Sequence, residues 1–126
     1  MPNKDTIRIL VVNQVHLVDH LLTALLAGEP DIEVVASVTS LDGAFDLARR
    51  SDLILVNTQM ADGAALQLVR RLASAELPAK VLVLGLVEAQ EQLLPYLRAG
   101  AVGYVRNDDS VDALLRKIRD ACSPKE

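Results

Sequence analysis

Aromatic residues are scarce in this chain: no tryptophan, two tyrosines and one phenylalanine in 126 residues. With hydrophobic residues at 51% the chain still has material for a core, and that core must be aliphatic. Cysteine is almost missing too. The single Cys122 excludes an internal disulfide, and no Cys/His spacing suits zinc. Basic runs are absent and the formal net charge is -4, which argues against a surface that grips nucleic acid directly. No apolar run reaches membrane-spanning length, and Met1-Pro-Asn-Lys-Asp5 has no apolar signal region. A soluble cytoplasmic domain is the expectation. A glycine-rich phosphate loop is missing as well: Asn13-Gln-Val-His16 follows the first strand, and such side chains keep a backbone from approaching a pyrophosphate.

What is present is a regular alternation. Short Val/Ile/Leu runs read as strands at Ile7–Val12, Ile32–Ser37, Leu53–Val56, Lys80–Leu86 and Val102–Val105. Helical patterns fall between and after them, at Leu17–Ala27, Leu41–Arg50, Ala64–Ala73, Ala89–Arg98 and Val111–Cys122. Leu17, Leu21, Leu22, Leu25 and Leu26 are expected on the buried face of the first helix. Ser40 and Ser110 are candidate N-caps, Gly28 and Gly100 candidate stops, and Pro95 is expected to kink or shorten the fourth helix. Glu33 suits a strand near a sheet edge. Five strands alternating with five helices over short connections predict a parallel sheet covered by helices on both faces. Residues 1–122 make one domain, and Ser123-Pro-Lys-Glu126 reads as the start of a linker or a tail.

In such a sheet, chemistry collects at the carboxyl edge. The polar residues there are Asn13 and Gln14 after the first strand and Asn57 after the third. Amides are neither nucleophiles nor anionic ligands. They are read either as a self-satisfied cluster capping the sheet or as the lining of a neutral pocket. Asp62, in Asp62-Gly63, reads as a turn residue or cap. Asp108, Asp109 and Asp112 read as stabilisers of the start of the last helix. His16 and His20 are spaced i, i+4 with Asp19 nearby, but no third ligand accompanies them.

Four segments carry a family likeness: Ile7–Val12, Glu29–Val35, Lys80–Leu84 and, most specifically, Leu97-Arg-Ala-Gly-Ala-Val-Gly-Tyr-Val105. On these the chain resembles the receiver domain of two-component response regulators, nearest the NarL/LuxR type, over essentially its whole length. The resemblance implies the flavodoxin-like (CheY-like) (βα)5 three-layer sandwich with strand order 2-1-3-4-5. It also implies where the family's chemistry should sit. The acidic pair that holds Mg²⁺ is matched by Asn13 and Gln14, and the phosphate-accepting Asp by Asn57. The Thr/Ser position after the fourth strand is matched by Gly85, and the Lys late in the fifth by Asn107. Tyr104 matches the aromatic that follows the Thr/Ser hydroxyl, here with no hydroxyl to follow. The loop after the third strand is shorter than usual, and Ala61 replaces the usual proline.

The expectation is therefore a pseudo-receiver without cofactor, metal or enzymatic activity, acting as a regulatory and dimerisation module ahead of a DNA-binding output domain. The alternative is a receiver that senses a small molecule through a neutral pocket. The expected homodimer face runs over the fourth helix, fifth strand and fifth helix. It offers Leu93, Leu94, Leu97, Tyr104, Val105, Leu114 and Leu115 among Arg98, Arg106, Arg116 and Arg119. Arg98 and Arg106 are expected to pair across it with Asp108, Asp109 or Asp112.

Overall fold

The computed structural model describes residues 6–40, 45–59, 64–86, 90–106 and 109–122. Its elements run β1 (Ile7–Val12), α1 (His16–Ala27), β2 (Ile32–Val38), α2 (Phe45–Arg49) and β3 (Leu53–Asn57), then α3 (Ala64–Ser74), β4 (Lys80–Leu86), α4 (Gln90–Ala99), β5 (Gly103–Arg106) and α5 (Val111–Cys122). All strand pairs are parallel, in the order β2-β1-β3-β4-β5. β2 is thus an edge strand, and its Glu33 is exposed as expected.

Alternation along each strand divides the core in two. Ile9, Val11, Leu53, Leu55, Leu82 and Val105 meet Leu22 and Leu26 of α1 and Leu114, Leu115 and Ile118 of α5. Their neighbours Leu10, Val12, Ile54, Val56, Val81 and Val83 face the other way, onto Ala48 of α2 and Ala65, Leu68, Val69 and Leu72 of α3. α4 joins that second layer through Tyr96 and Ala99. Among the described residues, every buried hydrophobic side chain of the core is aliphatic.

Several local expectations hold. Ser110 Oγ accepts the Ala113 amide at 3.1 Å and caps α5. Gly100 closes α4 at φ +123°, where a Cβ would stand 2.7 Å from that of Ala73. Others need correction. Leu22 and Leu26 form the buried stripe of α1, but Leu21 is 57% exposed and Leu25 38%. Each lies one residue, about 100°, off that stripe. α4 runs on through Pro95 to Ala99, because a single missing amide removes one bond and the flanking turns hold the rest.

The far end of α5 is tied to the α1–β2 turn. The Arg119 guanidinium donates to both Asp31 carboxylate oxygens at 2.8 and 2.9 Å and to Glu29 Oε1 at 2.7 Å. Those hydrogen bonds hold the Asp31 carboxyl below the usual carboxylate range. Arg119 therefore braces its own chain. One turn on, the half-buried Cys122 sets its Sγ 3.9 Å from the Asp52 carbonyl, and burial pushes its thiol pKa up. Asp52 precedes β3, so Cys122 lies at the amino edge of the sheet, opposite the carboxyl-edge amides.

Candidate functional site at the carboxyl edge

β1 and β3 are neighbours, so the residues at their carboxyl ends come together. Asn13, just past β1, is 4% exposed, and Asn57, the last residue of β3, is 3% exposed. Asn57 belongs to the strand rather than to the loop after it. It pairs in register with Leu84, and the ladder continues one step beyond, where Leu84 O accepts both the Thr58 amide at 2.8 Å and the Thr58 hydroxyl at 3.0 Å.

The two carboxamides are locked together. Asn57 Nδ2 donates to Asn13 Oδ1 at 2.7 Å. Asn13 Oδ1 also accepts the Val15 amide at 3.1 Å, while its Nδ2 donates to Val15 O at 2.9 Å, which fixes the orientation of the group. Asn57 Oδ1 accepts the Gln59 amide at 2.9 Å. No buried side-chain nitrogen or oxygen among the described residues lacks a partner, so each of the four amide atoms of the pair makes at least one bond. Gln14 is not part of it. It is exposed and donates through Nε2 to the Thr39 carbonyl at 3.2 Å. Sequence adjacency to Asn13 does not bring it in, because successive residues leaving a strand point to opposite sides.

Gly85 is buried at φ +95°, and the β4–β5 register slips between Leu84 and Leu86. The glycine thus forms a bulge in β4. This backbone feature had no sequence signal beyond an isolated glycine in an apolar run. Asn107, Asp62 and Asp108 lie outside the described residues, as do the side chains of His16, Leu17 and Leu93. His20 is exposed. No group of three His, Cys, Asp or Glu side chains suited to a metal occurs among the described residues.

Tyr104 is half-buried beside Val83. Lys117 of α5 controls its surroundings: Nζ lies 4.7 Å above the ring centroid and donates to the Tyr104 carbonyl at 2.9 Å. The same ammonium pairs with Asp109 Oδ2 at 3.2 Å, and that oxygen accepts the Arg106 amide at 2.9 Å. The Arg106 amide, then Lys117, keep the Asp109 carboxyl below its ordinary range. Asp109 is therefore engaged within its own chain. The sequence reading missed Lys117. Its signal was the spacing of four and seven residues from Ala113 and Ser110, which places it on the helix face above that turn.

A doubly wound five-stranded parallel sheet, with polar groups gathered at the carboxyl ends of β1 and β3, defines the flavodoxin-like (CheY-like) fold class. The chain belongs to the response regulator receiver domain family, whose profile matches residues 9–119. It is 29% identical over 121 residues to the nitrate/nitrite response regulator protein NarP of Escherichia coli, covering 94% of this chain and 56% of that one. It is 28% identical over 116 residues to the DNA-binding transcriptional activator DevR/DosR of Mycobacterium tuberculosis, covering 90% and 54%. The chain spans about half the length of the relatives it matches. Among solved structures, the signal receiver domain of the response regulator NarL from Mycobacterium tuberculosis superposes with a TM-score of 0.84 at 20% identity, over 96% of this chain and 99% of that one. No described helix is long and apolar enough to cross a membrane.

Proposed function

We propose that this receiver domain is a pseudo-receiver: a regulatory and dimerisation module that works without phosphorylation, carried ahead of a DNA-binding output domain in a transcription regulator. The observation that supports this reading most is the 2.7 Å contact from Asn57 Nδ2 to Asn13 Oδ1. Phosphoryl transfer to a carboxylate needs an ionised nucleophile and a divalent cation to neutralise developing charge. Mg²⁺ takes hard, preferably anionic, oxygens in octahedral array. Here the two facing groups are uncharged, hydrogen-bonded to each other, and held by Val15 and Gln59. The third group, Gln14, is turned to Thr39. This donor set does not fit the family's cation, and no step is assigned to it.

Two further features agree. The Gly85 bulge presents no hydroxyl at the position matched to Thr/Ser, and Lys117 engages Tyr104 through its carbonyl and its ring face. For pairing, Leu94 and Leu97 of α4 remain 47% and 38% exposed, whereas Val105, Leu114 and Leu115 belong to the core. The proposed dimer face therefore narrows to α4 and its surroundings. The relatives, which include a DNA-binding transcriptional activator, support the reading of an output domain.

The test is incubation with acetyl phosphate and Mg²⁺, followed by intact mass. No phosphoryl adduct is expected, and labelling at the rate of an ordinary receiver overturns the reading. A second reading, small-molecule sensing, is favoured by one observation: Asn57 also lines a groove between α1 and α5.

A further inference from the structure

We infer that the groove between α1 and α5 is a binding site for a small, uncharged, largely apolar molecule carrying one hydrogen-bond acceptor. This deepens the sensing reading and rests on Asn57 being an amide that takes no phosphoryl group. The groove holds about 200 Å³ and opens at the carboxyl edge of the sheet. Leu21 and Leu25 of α1 and Val111 of α5 line it, and all three are large apolar side chains left exposed. They account for the leucines that the first-helix pattern assigned to the core. Leu84 and Val105 of the sheet also line it, and its polar lining besides Asn57 is Gln59, Arg106, Asp109 and Ser110.

The polar group that matters is Asn57, which is almost fully buried and yet lines the groove. A carboxamide offers two N–H donors. One goes to Asn13 Oδ1, and the second has no acceptor among the described residues. A lone donor in an apolar groove selects a ligand with a carbonyl or ether oxygen, as small-molecule sites commonly do with few polar groups. Charge is selected against. Asp109 at the rim is neutralised by Lys117 and the Arg106 amide, the exposed Arg106 side chain stays at the solvent side, and the buried Asn57 end offers no counter-charge, so an ion seated there would lose its hydration without compensation. The volume falls below the ~300–1,000 Å³ of sites for drug-sized molecules, which limits the occupant to a short chain or a small ring.

The test uses the ¹⁵N-labelled chain and three probes with one six-carbon tail: hexanamide, hexanoate and hexylammonium. Hexanamide is expected to produce saturable shifts in the Asn57 side-chain amide and in the backbone amides of Leu25, Val111 and Leu114. The two ions should bind about tenfold more weakly, the ratio expected when a buried polar contact is left uncompensated. Leu25→Glu and, independently, Val111→Glu put a carboxylate on the rim at exposed helical positions, and each should abolish the shifts while leaving spectral dispersion intact. Absence of saturable shifts at millimolar hexanamide overturns the proposal. So does binding that survives both variants, or equal binding of an ion. The titration contains neither Mg²⁺ nor a phosphodonor. A negative result therefore removes the groove as a site and leaves the pseudo-receiver reading to its own assay.

Discussion

Replacing Asn57 by Asp puts a potential nucleophile back at the end of β3, and the geometry indicates what else it does. The donor that bridges to Asn13 Oδ1 at 2.7 Å becomes a second oxygen. Asn13 cannot turn over to offer its own N–H groups without losing both of its bonds to Val15. The ionised carboxylate of the variant thus faces an amide oxygen at van der Waals distance or less, in a nearly dry site. The lost hydrogen bond costs about 1 kcal/mol, and the poorly compensated carboxylate adds about 1–3 kcal/mol. A total near 3 kcal/mol corresponds to a pKa raised by about 2 units at 1.36 kcal/mol per unit. Once protonated, the carboxyl donates its O–H to Asn13 Oδ1 and restores the bond.

The sign follows from the raised folded pKa. Between the unfolded value of about 3.9 and a folded value near 6, the native state binds more protons, so stability falls as pH rises. Asn57→Asp should melt close to the parent at pH 4. At pH 7 it should melt about 10 °C lower, taking about 3–5 °C per kcal/mol for a domain of this size. The assay is parallel thermal melting across that range, with and without millimolar Mg²⁺. A pH-independent gap would sink the electrostatic argument. Recovery of the lost stability by Mg²⁺ would show that the site still takes a cation, and with it the pseudo-receiver reading would fall.

Three other outcomes are expected. Gly85→Thr places a β-branched residue at φ +95° and should lower stability by about 1–3 kcal/mol, read as a urea midpoint shift, with Gly85→Ala milder but in the same direction; a neutral Thr variant would refute the bulge. Asp31 and Asp109 both titrate below their ordinary range, so their stabilisation is present above pH ~3.9 and is lost as pH falls through their lowered folded values. Both ion pairs are partly exposed and screened by water, so the loss should be modest, smaller in Arg119→Met, and absent only if the clamp does not form in solution. Sedimentation at micromolar concentration should show a phosphate-independent dimer that Leu94→Asp or Leu97→Asp dissociates, and a parent that stays monomeric at high concentration removes the dimer from the reading.

Much of this architecture was legible because it rests on repetition. The strands Ile7–Val12 and Lys80–Leu86 and the helix Val111–Cys122 agree in both ends with their patterns, since apolar runs and a Ser110 cap are local signals. What was not legible depends on how chains lie against one another. Leu21 and Leu25 differ from Leu22 and Leu26 only by an angle around α1, which hydrophobicity alone does not resolve. Gln14 looked equivalent to Asn13 until the pleat turned it toward Thr39. The bulge at Gly85 is a slip between two strands. Lys117 and Arg119 act on residues 13 and 88 positions away, far beyond any local pattern.

Cys122 gives the molecule an internal clock. As the lone thiol in the chain, it reports without background on whatever its neighbours do. Half-buried and with its thiol pKa pushed up, it is expected to react more slowly while the last turn of α5 stays docked at the Asp52 carbonyl than when that turn is released. Its alkylation rate in excess reagent should therefore rise with transient departures of that turn, much as amide exchange rises with openings elsewhere. Since Arg119 fastens the same turn to Asp31 and Glu29, events at the α1–β2 turn become readable as a chemical rate at the opposite end of the sequence.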